Sequence, residues 1–332
     1  MSDALAALRD GVRRVNRAPT ILFGVWTLTI AATIPAAAVL GRTIARDLGH
    51  SLAADRAADG VDYEWMQEFS ARAGGLGATF EPTIVGLGAV LDNLDAIADN
   101  RPQPASIVAI AAVYIAVWLF LAGGIIDRYA RDRATRSSGF FAACGVFFFR
   151  FLRLAVVQAI VYGFLIGLLH PWLFDRLYPR LVAGVTVERT AFAARVVLYV
   201  VYGLLLGGAN LVFDYAKVRA VVEDRRSMAG ALANALGFIR RNAAAALTLY
   251  VLDALTFVLV LAAYAAIAPG TGRGAAVWIA VVTGQLLMAA RLWVKLVFWS
   301  SETALFQMRL AHAGYVARPE PVWPESPAAE AI

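Results

Sequence analysis

The sequence predicts an all-α membrane protein: six transmembrane helices joined by cytoplasmic interfacial elbow helices into repeated helical hairpins. Three observations carry this prediction. The chain of 332 residues is 60% hydrophobic and 16% charged, with a mean hydropathy of +0.66, whereas soluble domains carry about 25% charged residues. The apolar residues are gathered into runs that approach or exceed the roughly 20 residues needed to cross a bilayer. The basic residues flank those runs instead of forming one patch, as orientation signals and headgroup contacts do. The net charge of +6 therefore points to anionic lipid as a partner and not to nucleic acid.

The first predicted span covers residues 21–40, after Arg9, Arg13, Arg14 and Arg17. Its length exceeds the 7–15 apolar residues of a secretory signal, so it reads as a retained helix. Further spans are predicted over residues 105–126, 147–169, 193–213, 243–268 and 275–300. The last is interrupted by Arg291 and Lys295. With six crossings, one side holds 18 Lys and Arg residues and the other 10. The richer side should be cytoplasmic. Both termini then face the cytoplasm of a bacterial cell, from a multi-pass protein of the inner membrane. Residues 1–316 form the membrane domain, and the proline-rich, acidic segment 317–332 is expected to be a disordered tail.

The extracytoplasmic segment 41–104 is acidic. Within it Pro82 is placed to open a helix, with Ile84, Leu87, Leu91, Leu94 and Ile97 on one face. The plainer reading packs that stripe on the protein's own outer surface; it would also suit the headgroup zone or a membrane-protein partner.

A repeat links the cytoplasmic connections. Leu121-Ala122-Gly123-Gly124 parallels Leu205-Leu206-Gly207-Gly208, and Asp127-Arg128-Tyr129-Ala130 parallels Asp214-Tyr215-Ala216-Lys217. Phe147-Phe148-Phe149-Arg150 parallels Gly237-Phe238-Ile239-Arg240, and the N-terminus repeats the second half of the unit through Val12-Arg13-Arg14 and Asn16. Ser137 and Ser227 are expected N-caps of short helices lying in the headgroup zone. There Arg13, Arg14, Arg150, Arg153, Arg225, Arg226, Arg240 and Arg241 would contact anionic headgroups before the chain turns back into the bilayer. This layout, clearest over residues 213–242, resembles bacterial integral membrane proteins of the group that includes the membrane domain attached to some glycerophosphodiester phosphodiesterases. The resemblance implies a helical membrane domain and no reaction, because the catalytic domain of those enzymes is absent here.

Chemistry in such a chain is sought among polar residues inside the spans. Asp253 stands near the middle of the fifth span, and Arg291 on the neighbouring sixth span is expected within its reach. As a functional pair they would relay protons or hold an anion; as a structural pair they would fix helix register, with Lys295 snorkelling to headgroups. Gln158, Asn210 and Gln285 are expected to join an interhelical hydrogen-bond set. The Gly-Gly pairs more plausibly permit close helix approach than bind phosphate. One cysteine, Cys144, and three scattered histidines, His50, His170 and His312, provide no metal-binding pattern. No cofactor motif or catalytic constellation is present. The leading expectation is a non-enzymatic scaffold, or an accessory to transport or envelope maintenance. The alternatives are a small transporter or channel using Asp253 and Arg291, and a lipid-modifying enzyme, which would need Asp127, Asp214 and Glu302 to converge.

Overall fold

The computed structural model describes residues 2–49, 51–60, 62–80, 86–268 and 275–310. The expected tail 317–332, His50, His312, Pro82, Ile84 and the fifth-to-sixth turn at 269–274 lie outside the described residues. The described residues are all-α, and among them six helices are long and apolar enough to cross a membrane.

In order, the helices are α1 (Ser2–Asn16), α2 (Pro19–Leu48), α3 (Ala54–Asp59), α4 (Tyr63–Arg72), α5 (Gly86–Ala98), α6 (Ala105–Arg131) and α7 (Ser137–Phe164). They continue with α8 (Tyr178–Val182), α9 (Glu188–Val222), α10 (Met228–Arg241), α11 (Ala243–Ile267) and α12 (Ala275–Arg309). Between α7 and α8 the helix is not broken but widened, with π geometry over Leu165–Leu169 and Trp172–Leu177. Pro171 sits between these stretches and lacks a backbone N–H, a recognised cause of such adjustments. The span expected to end at residue 169 is thus part of a helical run to Val182, 46 residues in all.

Helix lengths show where the sequence reading fell short. The helices holding the fourth and sixth spans continue to Val222 and Arg309, each 35 residues long. At 1.5 Å per residue each reaches about 52 Å, well beyond a hydrocarbon core of roughly 30 Å. The excess is gathered at one end. Buried residues of α6 run from Trp118 to Ala130, those of α12 from Leu292 to Phe306, and most of those of α9 from Leu211 to Val222. This arginine-rich end contains the main core. Toward the opposite end, Val196, Val200, Leu204, Val277, Ile279 and Val282 are exposed, an extended apolar surface of the kind that marks membrane contact.

The elbows resolve differently from one another. α10 begins where expected, with the Ser227 hydroxyl accepting from the Gly230 N–H at 3.2 Å, and Asn242 separates it from α11. α1 is likewise a separate helix before α2. Both turn their apolar faces into the protein: Ala4, Ala7 and Val15 of α1 and Ala231, Ala235 and Phe238 of α10 are buried. The middle elbow does not form. α7 runs unbroken through Phe147–Arg150, and Ser137 is its first residue, not its cap.

Close packing accounts for that continuity. A Cβ at Gly123 would lie 2.6 Å from Phe147 Cβ, and one at Gly124 2.6 Å from Cys144 Sγ and 2.8 Å from the Phe140 carbonyl. The two glycines therefore let α6 and α7 meet along their length. Gly208, the counterpart in the second copy, has nothing near it, so the two Gly-Gly pairs are not equivalent. Another close contact is at Gly11, where a Cβ would meet the Ser301 backbone at 2.7–2.8 Å. Gly11→Ala is expected to lower the unfolding free energy by about 1–3 kcal/mol through overpacking, whereas Gly24→Ala, in open space, should not. Thermal unfolding of both variants in detergent checks this; equal behaviour would show that α1 is not seated on α12.

At the opposite end, Trp65, Met66 and Phe69 of α4 form a small separate cluster with Ala53. Asp62 caps α4 by accepting from the Trp65 N–H at 3.1 Å. Its hydrogen bond to Arg56, with help from that cap, holds its carboxyl below the ordinary aspartate range. The α5 stripe is not packed away as expected: Leu91, Leu94 and Ile97 are exposed. α5 is instead tied by its C-terminus, with the Ala98 carbonyl 2.8 Å from His170 Nε2 and Asn100 donating to the Ile166 carbonyl.

Candidate functional site

Polar side chains recur at helical spacing on the apolar spans, and the spacing decides what they face. On α9, Asn210, Asp214 and Lys217 follow i, i+4, i+7, and on α12 Lys295, Trp299 and Glu302 do the same, each set forming one face. The two faces meet. Asp214 accepts from Lys217 at 2.9 Å, from the Trp299 indole at 3.2 Å and from the Asn210 amide at 2.8 Å. Asn210 also donates to the Tyr250 hydroxyl of α11 at 3.3 Å. Asp214 is thus a buried carboxylate with one ammonium and two neutral donors.

A cavity of about 450 Å³ opens beside this pair, between α6, α7, α9 and α12. Its polar lining is Tyr114 and Trp118 of α6, Gln158 and Tyr162 of α7, Lys217, Lys295 and Trp299; Ile115, Leu119, Ala122, Ala155 and Ala159 complete the walls. Ile115 is 60% exposed on the apolar surface, so the mouth faces where lipid would lie. Lys295 does not snorkel outward. Its ammonium stands 3.9 Å from the centre of the Trp118 ring and 5.6 Å from that of Trp299, a cation–π arrangement strengthened by desolvation.

Deeper in the core lies an acidic group. Asp253 is fully buried and accepts from the Ser301 hydroxyl at 2.7 Å. Glu302, 1% exposed, is in electrostatic range of Asp214, Asp253 and Lys217. Both Glu302 oxygens, Asp253 Oδ1 and the Tyr215 and Ser300 hydroxyls have no hydrogen-bond partner among the described residues.

Several expected partnerships are replaced. Asp253 is bonded to Ser301, ten residues along α12 from Arg291, or about 15 Å of helical rise; Arg291 is exposed. The polar amides do not form one set. Gln158 lies one turn before Tyr162 on the cavity wall, Asn210 serves Asp214, and Gln285 accepts from the Trp26 indole at 3.2 Å. Asp214 and Glu302 are in electrostatic range of each other, while Asp127 pairs with Arg131 at 2.9 Å on a separate cleft of about 570 Å³ that also holds Arg133, Arg136 and Asp224.

The arginines expected at headgroups divide in the same way. Arg14, 11% exposed, pairs with Asp10 at 2.7 Å and donates to Gln307 and the Tyr129 carbonyl at 2.8 Å. Arg150, also 11% exposed, pairs with Asp224 at 2.7 Å and stands over the Phe147 ring. Both charges are spent inside the protein, which removes them from the headgroup set. Arg13 is exposed beside Asp10 and Asp132, and Arg225 is exposed beside Glu223. Arg153, Arg226, Arg240 and Arg241 are exposed.

Sequence reasoning missed Lys217, Trp118, Trp299, Tyr114 and Tyr162, and weighed Glu302 only at a membrane surface. Their signal was available: polar and aromatic residues at i, i+4 and i+7 on otherwise apolar helices. A scan of protein-family models and searches of the curated proteins and of the solved structures each return no match for this chain.

Proposed function

We propose that the chain is a non-enzymatic accessory protein of the bacterial inner membrane, with its arginine-rich end cytoplasmic, that holds a bilayer lipid in the lateral cavity between α6 and α7. One observation carries this reading: an apolar cavity at span level, open toward the lipid-facing surface, has a few polar groups converging at its inner wall. Ligand sites are built in that manner, with apolar walls for affinity and placed polar groups for orientation. Arg226, Arg240 and Arg241 would add headgroup attraction at the cytoplasmic rim.

A second reading, a proton-coupled or ion-coupled transporter, is favoured by the three buried carboxylates Asp214, Asp253 and Glu302 in the core, since such groups mark relays in membranes. Two measurements separate the readings. Native mass spectrometry of the purified protein should show lipid retained through delipidating detergent, and reconstituted liposomes should show no proton or solute flux above empty vesicles. Flux abolished by Asp253→Asn would establish the transporter instead; a protein that retains no lipid and moves nothing would remove both.

A further inference from the structure

The geometry points to a specific lipid class at this site: a phospholipid of net charge −1, its phosphodiester not balanced by a headgroup cation, held with Lys295 as its counter-ion. This rests on the lipid-holding reading above. The charge balance comes first. Lys217 is neutralised by Asp214 at 2.9 Å, and Asp214 is already shared with Trp299 and Asn210. Lys295 has no carboxylate within ion-pairing distance among the described residues. Its ammonium faces the cavity, supported by the rings of Trp118 and Trp299. Arg291, one turn away on α12, is exposed and does not line the cavity. Glu302, fully enclosed in the core, does not line it either. Asp214 is the carboxylate in electrostatic range of Lys295, but it is bonded to Lys217, so Lys295 has no ion-pair partner of its own among the described residues and a monoanion would supply one.

The chemistry of the donors narrows the class. With Lys217 and Trp299 donating to Asp214, the other polar groups of the lining are the Lys295 ammonium from α12, an amide and a phenol from α7 (Gln158 and Tyr162), and the Tyr114 phenol and Trp118 indole from α6, with no guanidinium. A planar carboxylate is best matched by the fork of an arginine, whereas lysine binds phosphate as a point charge. Donors on three walls suit a tetrahedral group reached from several sides. The apolar remainder of the cavity, Ile115, Leu119, Ala122, Ala155 and Ala159, reaches the surface at Ile115 and Ala159, where the acyl chains would leave for the bilayer.

Depth fits the same assignment. Arg150 pairs with Asp224 at the arginine-rich end, and Gln158 is eight residues further along α7, about 12 Å deeper. A headgroup at Lys295 is therefore drawn below the interfacial charges, where a charge-assisted bond is strong.

The test uses the full protein in mixed detergent micelles, with phosphatidylglycerol, phosphatidylcholine and oleate as competing probes and bound species read by native mass spectrometry. The wild-type protein should prefer phosphatidylglycerol over phosphatidylcholine by about tenfold, because the choline cation of phosphatidylcholine already compensates its phosphodiester and is repelled by Lys295. Lys295→Met should bring that preference within about twofold while total retained lipid persists, and Lys295→Arg should restore most of it. Unchanged thermal midpoints show that the variants are folded; if Lys295→Met fails to fold, quenching of wild-type tryptophan fluorescence by brominated lipids of each class reads the same preference. No difference between the two phospholipids, or a preference that survives Lys295→Met, overturns the assignment while leaving lipid retention intact. Oleate displacing phosphatidylglycerol, but not the reverse, overturns the phosphodiester in favour of a carboxylate. Absence of any retained lipid is the separate failure of the lipid-holding reading itself.

Discussion

Replacing Asp214 with asparagine is expected to lower the unfolding free energy by about 3–5 kcal/mol, the range for breaking a buried ion pair by removing one partner. Asp214 and Lys217 are 7% and 12% exposed in their side chains, so water cannot readily replace the lost charge. The amide would also turn an N–H₂ group toward donors that Asp214 now satisfies: the Lys217 ammonium, the Trp299 indole and the Asn210 amide. One term acts the other way. Glu302 is in electrostatic range of Asp214, and removing the Asp214 charge relieves that repulsion. The relief is smaller because Glu302 makes no direct contact through its oxygens, whereas Asp214 has three bonded donors.

Glu302→Gln is the internal control for the same experiment. Its carboxylate oxygens have no donor, so the amide keeps the shape while removing the need to bury a charge. Thermal and denaturant unfolding in detergent should place Glu302→Gln at or above the wild type and Asp214→Asn well below it. The opposite order would mean that the carboxylate essential to the core is Glu302, and the charge balance at the cavity would have to be redrawn.

What was legible in the sequence and what was not divides along a physical line. Spans are announced by composition, because the bilayer demands an apolar run whatever the tertiary structure. α10 was legible too, since its Ser227 cap and its Arg240-Arg241-Asn242 exit are local features. Arg150 was misread because its role depends on Asp224, 74 residues away. Beside it, α7 stays helical through the point where the repeat implied a turn. The same limit hid the cavity. Lys217 looked like the charge that ends a span, and only the packing of α9 on α12 shows that it completes a pair with Asp214. The ends of α9 and α12 were placed too early for a related reason. Residues 214–222 and 300–306 carry charge and hydroxyl groups, which read as an aqueous edge. In the folded protein they are covered by α1 and α10.

The role of α10 follows from which of its faces carries the energy. Phe238→Ala is expected to destabilise the protein by about 3–5 kcal/mol. The Phe238 side chain is fully buried, its ring centre 5.1 Å from that of Tyr215 on α9 and 5.0 Å from that of Phe306 on α12. Its ring thus packs α10 against both helices, and the Arg219 guanidinium of α9 donates to the Asn234 carbonyl of α10. Leu236→Ala, on the other face and 40% exposed, should change stability by no more than about 0.5 kcal/mol. A helix anchored by insertion into lipid would show the reverse ranking, because its exposed apolar residues would hold it in place. Unfolding of the two variants in detergent and again in lipid bicelles makes the comparison. If Leu236→Ala becomes the more costly change only in bicelles, α10 gains its position from the bilayer. If Phe238→Ala dominates in both, α10 is a clamp on the ends of α9 and α12. The clamp would then act on the lipid site directly, because α9 and α12 are the two helices that bring Lys217 and Lys295 to the cavity wall.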